Sequence, residues 1–242
     1  MNNSAPRKET LAEGVDVWLG DCREILPLIG RVDAVITDPP YGIYATAGGP
    51  ESRKEIKGSY SSEFPDTQEY LSTVCGGIIE EAIRNARNVA LTPGRTNMWH
   101  YPAANDVGCF FQPAASGVSF WGRPTWQPIL FYGNAPNSGE QLRPLHYLLT
   151  EAAEDNGHPC PKPIKGWKWL VSKATKINDL VLDPFMGSGT TGVACVKLGR
   201  KFIGIEIGPK YYDIARRRIT EALKQPDMFI EKPKPVVQET LL

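Results

Sequence analysis

Residues 180–192 read LVLDPFMGSGTTG. The apolar run from Leu180 to Leu182 predicts a short buried strand, and the glycines that follow predict a tight turn. A helix is predicted from about Thr190 to Leu198, a further strand over Phe202–Ile205, and a closing helix over Pro209–Leu223. Taken literally, Gly187-Ser188-Gly189-Thr190-Thr191-Gly192 fits GxGxxG, a turn that brings backbone N–H groups at a helix N-terminus toward an anionic ligand. Glu206 ends the next strand, where a carboxylate can accept from both hydroxyls of a ribose.

The same alternation extends toward the N-terminus. Val15–Leu19 predicts a strand, Gly20-Asp21 a turn, and Cys22–Ile29 a short helix. Ala34–Thr37 predicts a buried strand that ends at Asp38. Residues 42–65 lack periodicity and predict a long loop. Asp66-Thr67-Gln68-Glu69 has the form of a capping box, and Tyr70, Val74, Ile78 and Ala82 then form an apolar stripe at helical spacing, with Leu71 and Ile83 beside it. Asn88–Leu91, Gly117–Trp121 and Pro128–Tyr132 predict strands, the last two an antiparallel edge. Residues 133–157 predict a turn-rich linker, and Ile164–Lys173 a helix that buries Trp167, Leu170 and Val171. Strands alternating with helices predict an α/β fold with a largely parallel sheet.

Two ligands satisfy the glycine turn: a dinucleotide, with its pyrophosphate on the helix N-terminus, or S-adenosylmethionine. Asp183 stands just before the glycines. It would repel a pyrophosphate and attract an ammonium or sulfonium, which favours S-adenosylmethionine.

Thr37 to Gly42 read TDPPYG. The prolines fix φ and remove N–H donors, which leaves carbonyls as acceptors. Asp38 and the Pro39 carbonyl can then accept both protons of an exocyclic amino group, while Tyr41 stacks on the ring that bears it. An aryl amine is a weak nucleophile because its lone pair is delocalised into the ring. Two acceptors that draw the nitrogen toward tetrahedral geometry localise the pair for in-line attack on a methyl, with orientation supplying much of the rate.

Composition bounds these readings. A chain of 242 residues, 41% hydrophobic, is sized for one globular domain. No run is apolar enough to span a membrane, and MNNSAPRKET has no apolar signal segment. The five cysteines (Cys22, Cys75, Cys109, Cys160, Cys195) form no CxxC pair, so reduced thiols in the cytoplasm are expected, with no metal site. The net charge is zero, without the basic excess usual for nucleic-acid binding. Arg53, Lys54 and Lys57 supply a local basic cluster just after the Asp38 box.

Taken together, these motifs resemble the DNA amino-methyltransferases that modify adenine N6 or cytosine N4 with S-adenosylmethionine. The resemblance runs over about residues 14–222. DPPYG is similar to the family's catalytic box, which implies catalytic roles for Asp38, Pro39, Pro40 and Tyr41. DPFMGSGTT is similar to its cofactor loop, which implies cofactor contacts from Asp183, Phe185, Gly187, Ser188, Gly189 and Thr190. IGIEI, with Glu206, resembles the ribose-binding strand. HPCPKP resembles the segment whose lysine, here Lys162, contacts the cofactor region. GDC, with Asp21 and Cys22, resembles the segment that meets the cofactor's adenine. The catalytic box precedes the cofactor loop, as in the family's β arrangement.

The resemblance implies a Rossmann-like methyltransferase fold, with a twisted, mostly parallel seven-stranded sheet flanked by helices in a single domain over 1–242. It implies double-stranded DNA as substrate and allows a homodimer, since several members dimerise. DPPY, and not SPPY, points to adenine. Loops at 43–64 and 134–157 are expected to face DNA, and 225–242 to form a loose tail. The region between the edge strand and HPCPKP is short for reading a long site by base contacts, and the target base must leave the stack to reach Asp38.

Rival readings explain less. A cytosine-C5 enzyme would use a Pro-Cys nucleophile such as Pro159-Cys160, but that leaves the Asp38 box without a purpose. A dinucleotide oxidoreductase would usually place its cofactor unit first. A protein-glutamine methyltransferase would carry Asn in place of Asp38. A non-catalytic relative would lack Asp38 or Tyr41. RNA stays open as a substrate.

Overall fold

The structure is a computed structural model and describes residues 5–41, 67–113, 122–134, 144–151 and 162–225. Among these, one sheet contains β1 (Arg7–Ala12), β2 (Val15–Leu19), β3 (Val32–Thr37), β4 (Ala86–Leu91), β5 (Asp106–Phe111), β6 (Trp126–Gly133), β7 (His146–Leu148), β8 (Leu180–Asp183) and β9 (Lys201–Glu206). Their spatial order is β1-β2-β9-β8-β3-β4-β6-β5-β7. The block β2-β9-β8-β3-β4 is parallel throughout. β1 and β6 join its two sides antiparallel. β5 then pairs antiparallel with β6, and β7 parallel with β5.

The mostly parallel α/β sheet is the fold expected, with nine strands where seven were expected. The additional strands lack the patterns that reveal a strand in sequence. β1 is a largely exposed edge made of RKETLA, β5 is interrupted by Gly108, and β7 has three residues inside the expected linker. The strand expected at Gly117–Trp121 lies outside the described residues. So do the loop at 43–64, most of 134–157, Pro159-Cys160 and the tail beyond Gln225.

The helices are α1 (Cys22–Ile25), α2 (Gln68–Tyr70), α3 (Gly76–Asn85), α4 (Ile164–Ala174), α5 (Thr190–Lys197) and α6 (Pro209–Lys224). The N-terminal cap of α2 is one residue later than expected: Thr67 Oγ1 accepts from Tyr70 N–H at 3.1 Å. A π turn over Leu71–Cys75 joins α2 to α3. Its wider winding shifts the buried face, so Leu71, Cys75 and Ile79 are fully buried beside Val74, Ile78 and Ala82.

β3 explains why the middle of the sheet reads as a continuous apolar run. Ala34 and Ile36 pack into the core beneath α4, α5 and α6, while Val35 packs into the opposite core with Ile25, Leu71 and Ile79. A strand covered on both faces has no polar side to alternate with.

Candidate active site

Parallel strands place their carboxyl ends on one edge, and here that edge is acidic. The neighbours β2, β9, β8 and β3 lead in turn to Asp21, Glu206, Asp183 and Asp38. With strands ~4.8 Å apart the row is about 15 Å long.

At Glu206 the carboxylate is 4% exposed and accepts from Gly187 N–H and Gly208 N–H, each at 2.8 Å. Burial pushes its acid up to about 7. Met186 N–H donates to Ile205 O, and Gly189 N–H to Met186 O. The N–H groups of Met186, Gly187 and Gly189 are therefore occupied within the protein, and the turn does not offer them to a phosphate. Gly187 and Gly189 have φ of 54° and 78°. A Cβ at Gly189 would come within 2.9 Å of the Ala215 Cβ, so this glycine also lets α6 approach the turn. Ser188 and Thr190 are buried and take the Arg218 guanidinium, which donates to Ser188 O at 2.5 Å and to Thr190 Oγ1 at 3.2 Å. The Ser188 carbonyl and the Thr190 hydroxyl thereby fasten the turn to α6.

Asp21 caps α1 through Arg23 N–H, at 2.9 Å, and holds the Arg23 side chain at 2.6 Å. The guanidinium hydrogen-bonded to it keeps its carboxyl below the usual range, against the effect of burial. Cys22 is buried beside it, and burial followed by the Asp21 charge pushes its thiol up to about 12.

Asp183 departs from its expected place as a direct attractor of a cationic ligand. It is 2% exposed. Oδ1 accepts from Thr37 Oγ1 at 2.7 Å and Phe185 N–H at 3.1 Å, and Oδ2 from Thr191 Oγ1 at 2.6 Å. Trp167 Nε1 donates to that same Thr191 oxygen at 3.1 Å. Burial raises the acid to about 6. Three of its four acceptor positions are thus filled internally, and it braces β3, β8 and α5 against one another. Phe185, half-buried, packs on the core beneath α1 and α3.

The densest polar cluster surrounds Asp38. Tyr41 OH donates to Asp38 Oδ1 at 2.5 Å, and Thr92 Oγ1 donates to the same oxygen. Lys162 Nζ lies 2.6 Å from Oδ2. Gln127 Nε2 donates to Tyr41 OH, and Asn97 Nδ2 to the Tyr41 carbonyl. Gly94, with φ of 74°, lies against the Tyr41 ring: a Cβ there would be 3.0 Å from the ring's Cγ. Pro39 is buried and Pro40 half-buried, which holds the box rigid between β3 and this cluster. Burial and then the Asp38 charge raise the Tyr41 phenol well above its usual range, so it stays a donor to Asp38.

Lys162, which the resemblance directs toward the cofactor region, is paired with Asp38, and its ammonium lies 5.3 Å from the Tyr41 ring centroid. Thr92, Gly94, Asn97 and Gln127 were not read as site residues. They lie in the loop after β4 and at the start of β6, on no motif. Only the pairing of β6 with β4, Leu91 opposite Leu130, carries Gln127 to the edge where Asp38 stands.

Residues 94–217, about half of the chain, match the family of N6/N4 DNA methylases. The span leaves the Asp38 box outside it and takes in the loop at Gly94, the glycine turn and Glu206. The protein YubD of Escherichia coli (strain K12) is 42% identical over 212 residues, which are 83% of this chain and 88% of that protein. The chain belongs to the N6/N4 DNA methylase family. The Type II methyltransferase M2.LlaDCHI of Lactococcus lactis subsp. cremoris is 35% identical over 128 residues, 50% of this chain and 47% of that protein, so the chain spans about half the length of this relative. The crystal structure of the M1.HpyAVI–SAM complex shares the fold, with a TM-score of 0.57 at 22% identity over 85% of this chain and 98% of that one. Family and fold class are those the sequence motifs implied. Among the described residues, no helix is long and apolar enough to cross a membrane, and no group of three His, Cys, Asp or Glu side chains is placed to hold a metal.

Proposed function

We propose that this chain transfers a methyl group from S-adenosylmethionine to the N6 amino group of adenine in double-stranded DNA, in the cytoplasm. The observation that carries the reading is the state of Asp38. Its Oδ1 is filled by Tyr41 and Thr92, and Oδ2 has taken one donor, Lys162. Among the described residues no further donor reaches Oδ2, which leaves an acceptor position there for one amino proton, with the Pro39 carbonyl for the other.

The rest of the edge suits a cationic, ribose-bearing cofactor. Glu206 ends β9 and Asp21 follows the adjacent β2, the two joined by Gly20 N–H donating to Glu206 O at 2.9 Å. Glu206 would accept from ribose hydroxyls, with Asp21, Cys22, Phe185 and the Gly187–Gly189 turn around it and the buried Asp183 adding negative charge. The acidic row and the occupied N–H groups of the turn disfavour a pyrophosphate. Held there, S-adenosylmethionine would supply an electrophilic methyl on sulfur, so that an N–C bond would form from the amine's lone pair as the C–S bond broke and its pair stayed on sulfur. Asp38 and Pro39 hold the amine, Tyr41 positions the base plane, and the surplus amino proton leaves through Asp38 Oδ2 to solvent. The Asp-containing form of the box is the one typical of adenine enzymes. A second subunit would supplement the short recognition region.

The test is transfer of labelled methyl to unmethylated duplex DNA, with the nucleosides resolved by mass spectrometry. N6-methyladenine is expected. N4-methylcytosine would retain the chemistry and overturn the base, and no product on DNA would overturn the substrate.

A further inference from the structure

The Lys162–Asp38 pair has no role in the reading above beyond occupying a lone pair, yet it is built with care. Both side chains are only 21% exposed. The ammonium is 2.6 Å from Asp38 Oδ2, 3.3 Å from Tyr41 OH, 5.3 Å from the Tyr41 ring centroid and 5.9 Å from that of Trp167. It is thus held from three sides by groups on the Asp38 box and on α4. Trp167 is itself fixed by its bond to Thr191 and by stacking on Phe110 at 5.2 Å.

A carboxylate on a single bond rotates unless both oxygens are held. Tyr41 and Thr92 hold Oδ1, and among the described residues Lys162 is the group that holds Oδ2. We propose that Lys162 is a positioning residue for methyl transfer: it fixes the rotation of the Asp38 carboxylate so that the one remaining Oδ2 lone pair points at the incoming amino group. The proposal rests on the function proposed above and extends it to a residue that the motifs direct elsewhere. A lysine suits the task because its charge balances that of Asp38, which then presents a directed acceptor to a neutral amine. Among the described residues, the other titratable groups around the carboxylate are Tyr41, Tyr101 and Asp183, none of them cationic. Burial pulls the Lys162 ammonium down, but the Asp38 carboxylate and the Tyr41 phenol beside it outweigh that, and the ammonium stays protonated.

The experiment compares wild type, Lys162→Met and Lys162→Arg as full chains. Turnover is measured on unmethylated duplex DNA, S-adenosylmethionine affinity by calorimetry, and melting temperature alongside. Lys162→Met is expected to lower kcat on the order of 10²-fold, the scale of a misoriented reacting group, with cofactor affinity and KM for DNA unchanged. Lys162→Arg is expected to restore most of kcat. An unchanged kcat in Lys162→Met would overturn the proposal, as would a loss confined to cofactor affinity. A loss that arginine does not restore, accompanied by a fall in melting temperature, would make the pair merely structural and overturn it too. Failure of the wild type itself to methylate DNA is a failure of the underlying function, and it shows before either variant is compared.

Discussion

The Thr37 hydroxyl donates to Asp183 Oδ1 at 2.7 Å, across 146 positions of sequence. It joins the strand that delivers the Asp38 box to the strand that delivers the glycine turn, so a buried side-chain bond adds to the backbone pairing of β3 with β8 just where the two halves of the site meet. Thr37→Val keeps the shape and removes the donor. A hydrogen bond to a charged group is worth about 1.5–3 kcal/mol, and a loss of that order is expected in denaturant unfolding. An unchanged midpoint would show that Thr191 and Phe185 hold Asp183 alone.

Glu206 and Asp183 both have their acids raised by burial, from 4.5 to about 7 and from 3.8 to about 6. Each favours the protonated folded state, so its contribution to stability is complete below the unfolded value and is lost as pH rises through the folded one. The stability difference between wild type and Glu206→Gln is expected to shift against the wild type between about pH 4.5 and 7. Cofactor affinity should run the other way, rising through about pH 7, since ribose hydroxyls donate best to the ionised carboxylate. A pH-independent difference together with flat binding would remove Glu206 from this role.

Asp38→Ala is expected to abolish transfer, by on the order of 10³-fold or more, while calorimetric binding of S-adenosylmethionine persists. Equal loss of binding and turnover would place Asp38 in the cofactor site. Glu206→Ala provides the converse: weakened cofactor binding is expected, and an unchanged affinity would contradict a ribose contact.

Gly94→Ala tests the support beneath Tyr41. At φ of 74° a side chain costs about 1–2 kcal/mol, and its Cβ would meet the Tyr41 ring at 3.0–3.2 Å. A lower kcat with cofactor affinity retained is expected, because the displaced ring carries the hydroxyl that orients Asp38. Wild-type kcat in this variant would mean that the ring tolerates displacement.

The amino-acid sequence alone determined the parallel α/β core, the glycine turn and the Asp38 box. Each is a local pattern: an apolar run buried on both faces, a turn that needs φ above zero at Gly187 and Gly189, a carboxylate followed by two prolines. β1, β5 and β7 carried no such pattern, because strands at the sides of a sheet are stabilised by pairing with neighbours more than by their own alternation. Tertiary structure decided which groups surround Asp38. Thr92, Asn97, Gln127 and Lys162 come from separate segments, and only the strand order β8-β3-β4-β6 and the packing of α4 beneath it bring them to one carboxylate. It also decided that Asp183 turns inward as a brace and that Lys162 pairs with Asp38. Hydrogen bonding in a buried site depends on distance in space, which spacing along the chain does not encode.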